Sequence, residues 1–163
     1  MNRVVTGYDS DGNPAIVRQG DPPVVIHAGR YTTTELWVSG RGPLTATDAD
    51  LSAGEWALEP PPGGACFRIV EIAPGGDGGA DAAAGDAGGD AAAAEHEGFQ
   101  DAHATDTLDY VTVLRGEVTL VVGAAEVTLG PGDSVVQQPG VPHDWQNRAS
   151  QPCVMIGVLV SAR

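Results

Sequence analysis

Lysine is missing from this chain: all eight cationic side chains among its 163 residues are arginines. Without an ε-amine there is no Schiff-base nucleophile, no anchor for pyridoxal phosphate and no phosphate-loop lysine, so those catalytic families are closed whatever the fold. Positive charge is scarce altogether, with 22 carboxylates giving a net charge of −14. A nucleic-acid binder must neutralise phosphates with a clustered basic face, and an anionic membrane surface asks for the same, so neither is expected as a partner. Aromatic side chains are few, with three Trp, three Tyr and two Phe. The two cysteines, Cys66 and Cys153, stand far apart within apolar runs. That excludes a Cys-x-x-Cys motif and a disulfide framework, and reads as two buried thiols behaving as small hydrophobes. No apolar run approaches the length of a membrane span, and Met1 to Gly7 has no signal-peptide core, so a cytoplasmic protein is expected.

What the chain does have is Val, Ile, Leu and Thr in short runs between turn formers, with no segment of clear 3.6-residue periodicity. Arg3 to Tyr8 and Ala15 to Arg18 flank Asp9-Ser10-Asp11-Gly12-Asn13-Pro14, which predicts a hairpin. Val24 to His27 and Tyr31 to Val38 read as strands, the second with Thr33, Glu35 and Trp37 on one face. Residues 39–64 read as loop, because three successive prolines from Pro60 cannot continue a ladder. Cys66 to Ile72 resumes as a strand. From about 75 to 94 the sequence is almost entirely Gly, Ala and Asp, too poor in large apolar groups to offset the entropy of ordering it. It is expected to be a disordered acidic loop, most simply a solubilising spacer. From His103 onward short strands alternate with turn signals every eight to twelve residues, the pattern of an antiparallel sandwich or barrel. The length suits one domain over 1–163, with N-terminal strands and loop in 1–64 and the barrel core in 65–163.

The chemistry-bearing residues fall in this last part. His103-Ala-Thr105-Asp106-Thr107-Leu108-Asp109 precedes Gly116, and Gly132 precedes Gly140, His143 and Asn147. Alternation places His143, Trp145 and Asn147 on one face of a strand, and Asp109, Val111 and Val113 on one face of another; Tyr110 points the other way. The glycines are read as turn positions with φ > 0, and Asn147 as a side chain tying a loop to backbone groups. His27 and His96 lack a partner pattern.

These spacings resemble the two motifs of the cupins. Gly132, Gly140, His143 and Asn147 match the second motif, with Gln138 in place of its proline. His103, Thr105, Asp109 and Gly116 keep the spacing of the first, with Thr105 replacing a histidine and Asp109 a glutamate. The wider run His-x-Thr-Asp-Thr-x-Asp-Tyr through His-x-Trp-x-Asn-Arg is similar to a subgroup of short bacterial cupins. The resemblance covers residues 100–163 and implies an all-β, cupin-type jelly-roll barrel with added N-terminal strands and the acidic loop. It also implies that His103, Asp109 and His143 meet inside the barrel. Two imidazoles and a carboxylate are the ligand set of a facial triad, suited to a divalent metal such as iron, zinc or manganese. Asp109 is a methylene shorter than the usual glutamate. The alternative is therefore a metal-free pocket in which His143 works as general base or acid and Asp109 orients it or exchanges a proton with it.

Thr105, Val111 and Trp145 are then the expected walls of a pocket for a small organic molecule. The activity expected is that of a lyase or isomerase: dehydration, decarboxylation or isomerisation. A non-catalytic binding cupin and a metal-dependent oxygenase are the other readings. A homodimer is also expected, with the N-terminal strands covering a sheet edge of the neighbour.

Overall fold

A computed structural model describes residues 1–75 and 102–163. Apart from its first residue, the acidic stretch read as a loop lies outside these, as does His96. Among the described residues there are eleven strands and no helix. They are β1 (Arg3–Tyr8), β2 (Pro14–Gly20), β3 (Val24–Ala28), β4 (Tyr31–Ser39), β5 (Ala65–Ile72), β6 (Thr107–Arg115), β7 (Val118–Val122), β8 (Ala125–Leu129), β9 (Ser134–Gln137), β10 (Asp144–Gln146) and β11 (Cys153–Ser161).

Two sheets face one another as a jelly roll. The larger has the order β3-β4-β5-β11-β6-β9 and the smaller β10-β7-β8, all pairs antiparallel. β1 and β2 stand apart as the hairpin predicted around Asp9 to Pro14, whose turn is closed by Asp9 accepting from the amides of Asp11 and Asn13. The alternating burial of β11 shows how the pattern works: Cys153, Met155, Gly157 and Leu159 are buried and the residues between them are not. Inward-facing Ile72, Val113, Val118, Leu120 and Met155 form the core between the sheets. Each such side chain contributes about 1.5–3 kcal/mol through removal from water.

Turn chemistry fixes the register around the barrel. Gly116, Gly132 and Gly140 have φ of 77°, 92° and 74°. At Gly116 the backbone also leaves no room, since a Cβ would lie 2.3 Å from the Pro152 carbonyl oxygen. Asn147 is fully buried; its Nδ2 donates to the carbonyls of Ile72 (2.8 Å) and Gln151 (2.9 Å), and its Oδ1 accepts from Ala149 N (3.0 Å). It thereby ties the β10–β11 loop to the end of β5.

One face assignment is corrected. Thr33 and Glu35 share the inner face of β4, but a register shift between Glu35 and Trp37 sets Trp37 opposite Phe67, on the outer face. A bulge inserts one residue, and one residue suffices to reverse every side chain beyond it. Both cysteines are free and buried, and burial pushes each thiol up to about 11. Among the described residues no helix is long and apolar enough to cross a membrane.

Candidate functional site

The two motif histidines are brought together by backbone hydrogen bonds. His103 N donates to His143 O (3.0 Å) and His143 N to His103 O (2.9 Å), an isolated antiparallel bridge that closes one end of the barrel. Their rings lie 4.5 Å apart between centroids, tilted by 58°. Trp145 meets the His143 ring edge-on at 6.3 Å. Its own backbone is held by Tyr31 Oη (3.2 Å) and an Arg30 guanidinium nitrogen (3.0 Å), both donating to Trp145 O.

The Val141 carbonyl lies 3.0 Å from Nδ1 of His143, and the Gln137 amide packs closely against the same ring. A carbonyl can only accept, which places the proton on Nδ1 and leaves Nε2 as the acceptor. Burial holds the imidazole below its ordinary 6.5, against the Val141 carbonyl, which pulls it up. The ring is therefore neutral near pH 7.

Asp109 projects from β6 directly opposite Gln137 on β9, which explains why both reach the same interior. Burial raises its carboxyl above 3.8, opposed by the Thr107 hydroxyl and by the charges of Arg68 and His103. Its Oδ1 is buried and meets no hydrogen-bonding partner among the described residues. Thr107 and Thr105 hydroxyls lie 2.8 Å apart beside it.

The six residues picked out in the sequence, His103, Thr105, Asp109, Val111, His143 and Trp145, line one cavity of about 70 Å³ between the sheets. Tyr31, Leu58, Arg68, Met155 and Gly157 complete much of its wall. Gln137 was given no role, because nothing local in its short strand places its amide against His143. Arg68 was read only as part of the strand from Cys66 to Ile72; its neighbour in space, Glu35, lies 33 positions upstream.

A metal centre needs its donors gathered. Among the described residues no three His, Cys, Asp or Glu side chains are placed to hold an ion. Thr105 stands where a further imidazole would come, and the Val141 carbonyl engages Nδ1 of His143. In this arrangement His103, Asp109 and His143 are not gathered around one ion position.

Two facing antiparallel sheets around a largely apolar cavity with a few polar side chains are the arrangement of a cupin barrel, and comparison with known proteins agrees. Residues 91–160 match the Cupin_2 family model, described as a cupin domain. The chain is 27% identical over 170 residues to the cupin-domain-containing oxidoreductase srdB of Neurospora crassa, covering 99% of this chain and 74% of that protein. It is 26% identical over 157 residues to the Phomopsin biosynthesis cluster protein C' of Diaporthe leptostromiformis, covering 91% and 71%. The solved structure of a Cupin 2 conserved barrel domain protein from Salinispora arenicola superposes with a TM-score of 0.50 at 17% identity over 92% of each chain, a likeness of fold.

Proposed function

We propose that the protein is an enzyme that moves a proton on a small organic molecule held inside the barrel, as an isomerase or lyase does. One observation carries this: an imidazole held below its ordinary value, His143, and a buried carboxyl with an unpartnered oxygen, Asp109, line the same cavity. In that reading His143 Nε2 takes the proton, exchanging the Gln137 amide for the substrate, and Asp109 returns one or orients the ring. Val111, Trp145 and Met155 provide an apolar wall that excludes water, and such positioned acid–base groups contribute typically 10²–10⁴-fold to rate. The test is solvent-deuterium incorporation into a panel of small organic compounds, compared between the parent protein and His143→Ala. Incorporation abolished by His143→Ala supports the reading; binding without incorporation would instead favour a non-catalytic binding cupin.

A second reading, a metal-dependent oxidoreductase with His103, Asp109 and His143 as ligands, is favoured by the name of the Neurospora relative and by the unpartnered Asp109 oxygen. It requires these side chains to regroup. Stoichiometric iron, zinc or manganese in protein purified without chelators, lost in His143→Ala, would establish it. The proposal also places the protein in the cytoplasm, where its buried thiols stay reduced, and as a homodimer, which sedimentation measures.

A further inference from the structure

The cavity has a second polar group on its wall besides the motif histidines and Asp109, the Arg68 guanidinium, which a buried carboxylate behind it neutralises. Arg68 on β5 and Glu35 on β4 are cross-strand partners facing inward, 2.9 Å apart from guanidinium nitrogen to Oε1, with side chains only 3% and 2% exposed. The rest of the guanidinium is well occupied. One terminal nitrogen donates to Leu58 O (2.9 Å) and the other to Ala57 O (3.2 Å). The Trp56 ring lies 5.7 Å from its Cζ and donates Nε1–H to Glu35 Oε1 (3.0 Å). Arg68 Nε, however, is buried with no acceptor among the described residues. A buried donor without a partner is uncommon and costly, and a ligand atom is one way to satisfy it.

Beside Arg68 on the next strand stands Gly157, and beyond Gly157 stands Val111. Glycine in the middle of a long strand weakens it, and often marks a close approach by another group. Gly157 is buried and faces the cavity, and its φ is not in the left-handed region, so no turn requires it. A Cβ there would sit at ordinary distance from its neighbours, 3.5 Å from Leu159 Cδ1 and 3.7 Å from Val111 Cγ2. The missing side chain therefore leaves room for about one methyl group in the cavity that Arg68 also lines.

We propose that Arg68 Nε–H and the gap over Gly157 form a subsite for the oxygen of a small, uncharged carbonyl compound, such as a ketone or aldehyde. This rests on the proton-transfer reading of the same cavity and names its substrate class. A carboxylate is the wrong partner, because Glu35 already neutralises Arg68 and a further buried anion beside Glu35 and Asp109 would be uncompensated. A carbonyl accepts one N–H without bringing charge. Held there, its adjacent C–H bonds lie in the cavity that His143 lines, and an N–H aimed at the oxygen favours the enolate formed when that proton leaves. The proton passes from carbon to His143 Nε2 while the C–H electron pair moves into the enolate, and reprotonation at carbon restores the ketone.

The test uses the full chain, isotopically labelled for NMR titration, with cyclopentanone and its isostere methylenecyclopentane as probes. The ketone is expected to bind about tenfold tighter, the worth of roughly one hydrogen bond. Glu35→Met combined with Arg68→Met removes both charges together and should bring the two probes to equal affinity. Arg68→Lys, which keeps the charge and deletes Nε, should do the same, and covers the case in which the double variant does not fold. Gly157→Ala should fold normally and weaken both probes. Equal affinities in the parent protein, no binding of either probe, or a ketone preference that survives loss of Nε would each overturn the proposal. Deuterium exchange at the carbons beside the bound carbonyl reports separately on His143: a ketone preference that depends on Arg68, without exchange, keeps this subsite and sinks the proton-transfer function.

Discussion

The two polar parts of the barrel interior are built in opposite ways. The end that carries His103 and His143 is held by backbone: a pair of main-chain hydrogen bonds, glycine turns and the buried Asn147 amide. Its acid–base groups are the His143 imidazole, which burial holds below its ordinary value, and the Asp109 carboxyl, which burial raises. The end that carries Arg68 and Glu35 is held by side chains: a buried ion pair, an indole and two carbonyls of the loop after β4. Backbone-built sites tolerate side-chain replacement and lose chemistry; charge-built sites lose the fold when one member goes.

The largest expected effect breaks the charged end. Arg68→Met alone strands Glu35 as an uncompensated buried charge and should cost about 3–5 kcal/mol in urea unfolding, whereas the double change with Glu35→Met should restore most of it. A double variant no more stable than the single one would show that the pair is not the unit. At the other end Gly116→Ala is expected to cost about 3 kcal/mol, since it adds a clash with Pro152 O to left-handed strain, and Gly132→Ala only about 1 kcal/mol, because nothing lies within 4 Å of its added Cβ. Equal costs would mean that turn strain alone matters. Asn147→Ala removes three hydrogen bonds from a fully buried position and should cost about 2–3 kcal/mol, seen as a lower thermal midpoint.

The smallest effect concerns Asp109 and has the opposite sign. Because burial raises its folded value above 3.8, the folded protein holds this proton more tightly than the unfolded chain. Its contribution to stability is greatest below that unfolded value and is lost as pH rises through the folded one. Asp109→Asn should remove that decline and stabilise the protein by ~1 kcal/mol at pH 7, while lowering activity, the exchange common at strained active sites. A stability profile between pH 3 and 7 identical to that of the parent would contradict it.

The backbone-built end was legible in the sequence and the charge-built end was not, for a physical reason. Gly116, Gly132, Gly140 and Asn147 act within turns, so spacing along the chain encodes their roles, and strand alternation then places His143 and Trp145 together. Glu35 and Arg68 meet only through the register of β4 on β5, which depends on a bulge between Glu35 and Trp37 that no local signal announces. The same bulge carried Trp37 to the outer face, against expectation. Gln137 reaches His143 through the pairing of β6 with β9, again a matter of register. Gly157 looked like any glycine in an apolar run until its neighbours across the sheet were known.

The division of labour between the two ends comes down to one measurement: the rate of deuterium exchange beside the carbonyl of cyclopentanone at saturating concentration. In His143→Ala the rate should fall at least about 100-fold, the usual worth of a positioned base, while in Gly157→Ala the rate at saturation should stay within a few-fold of the parent and only the affinity change. Exchange unaffected by His143→Ala, or falling equally in both variants, would contradict the assignment of chemistry to one end and holding to the other.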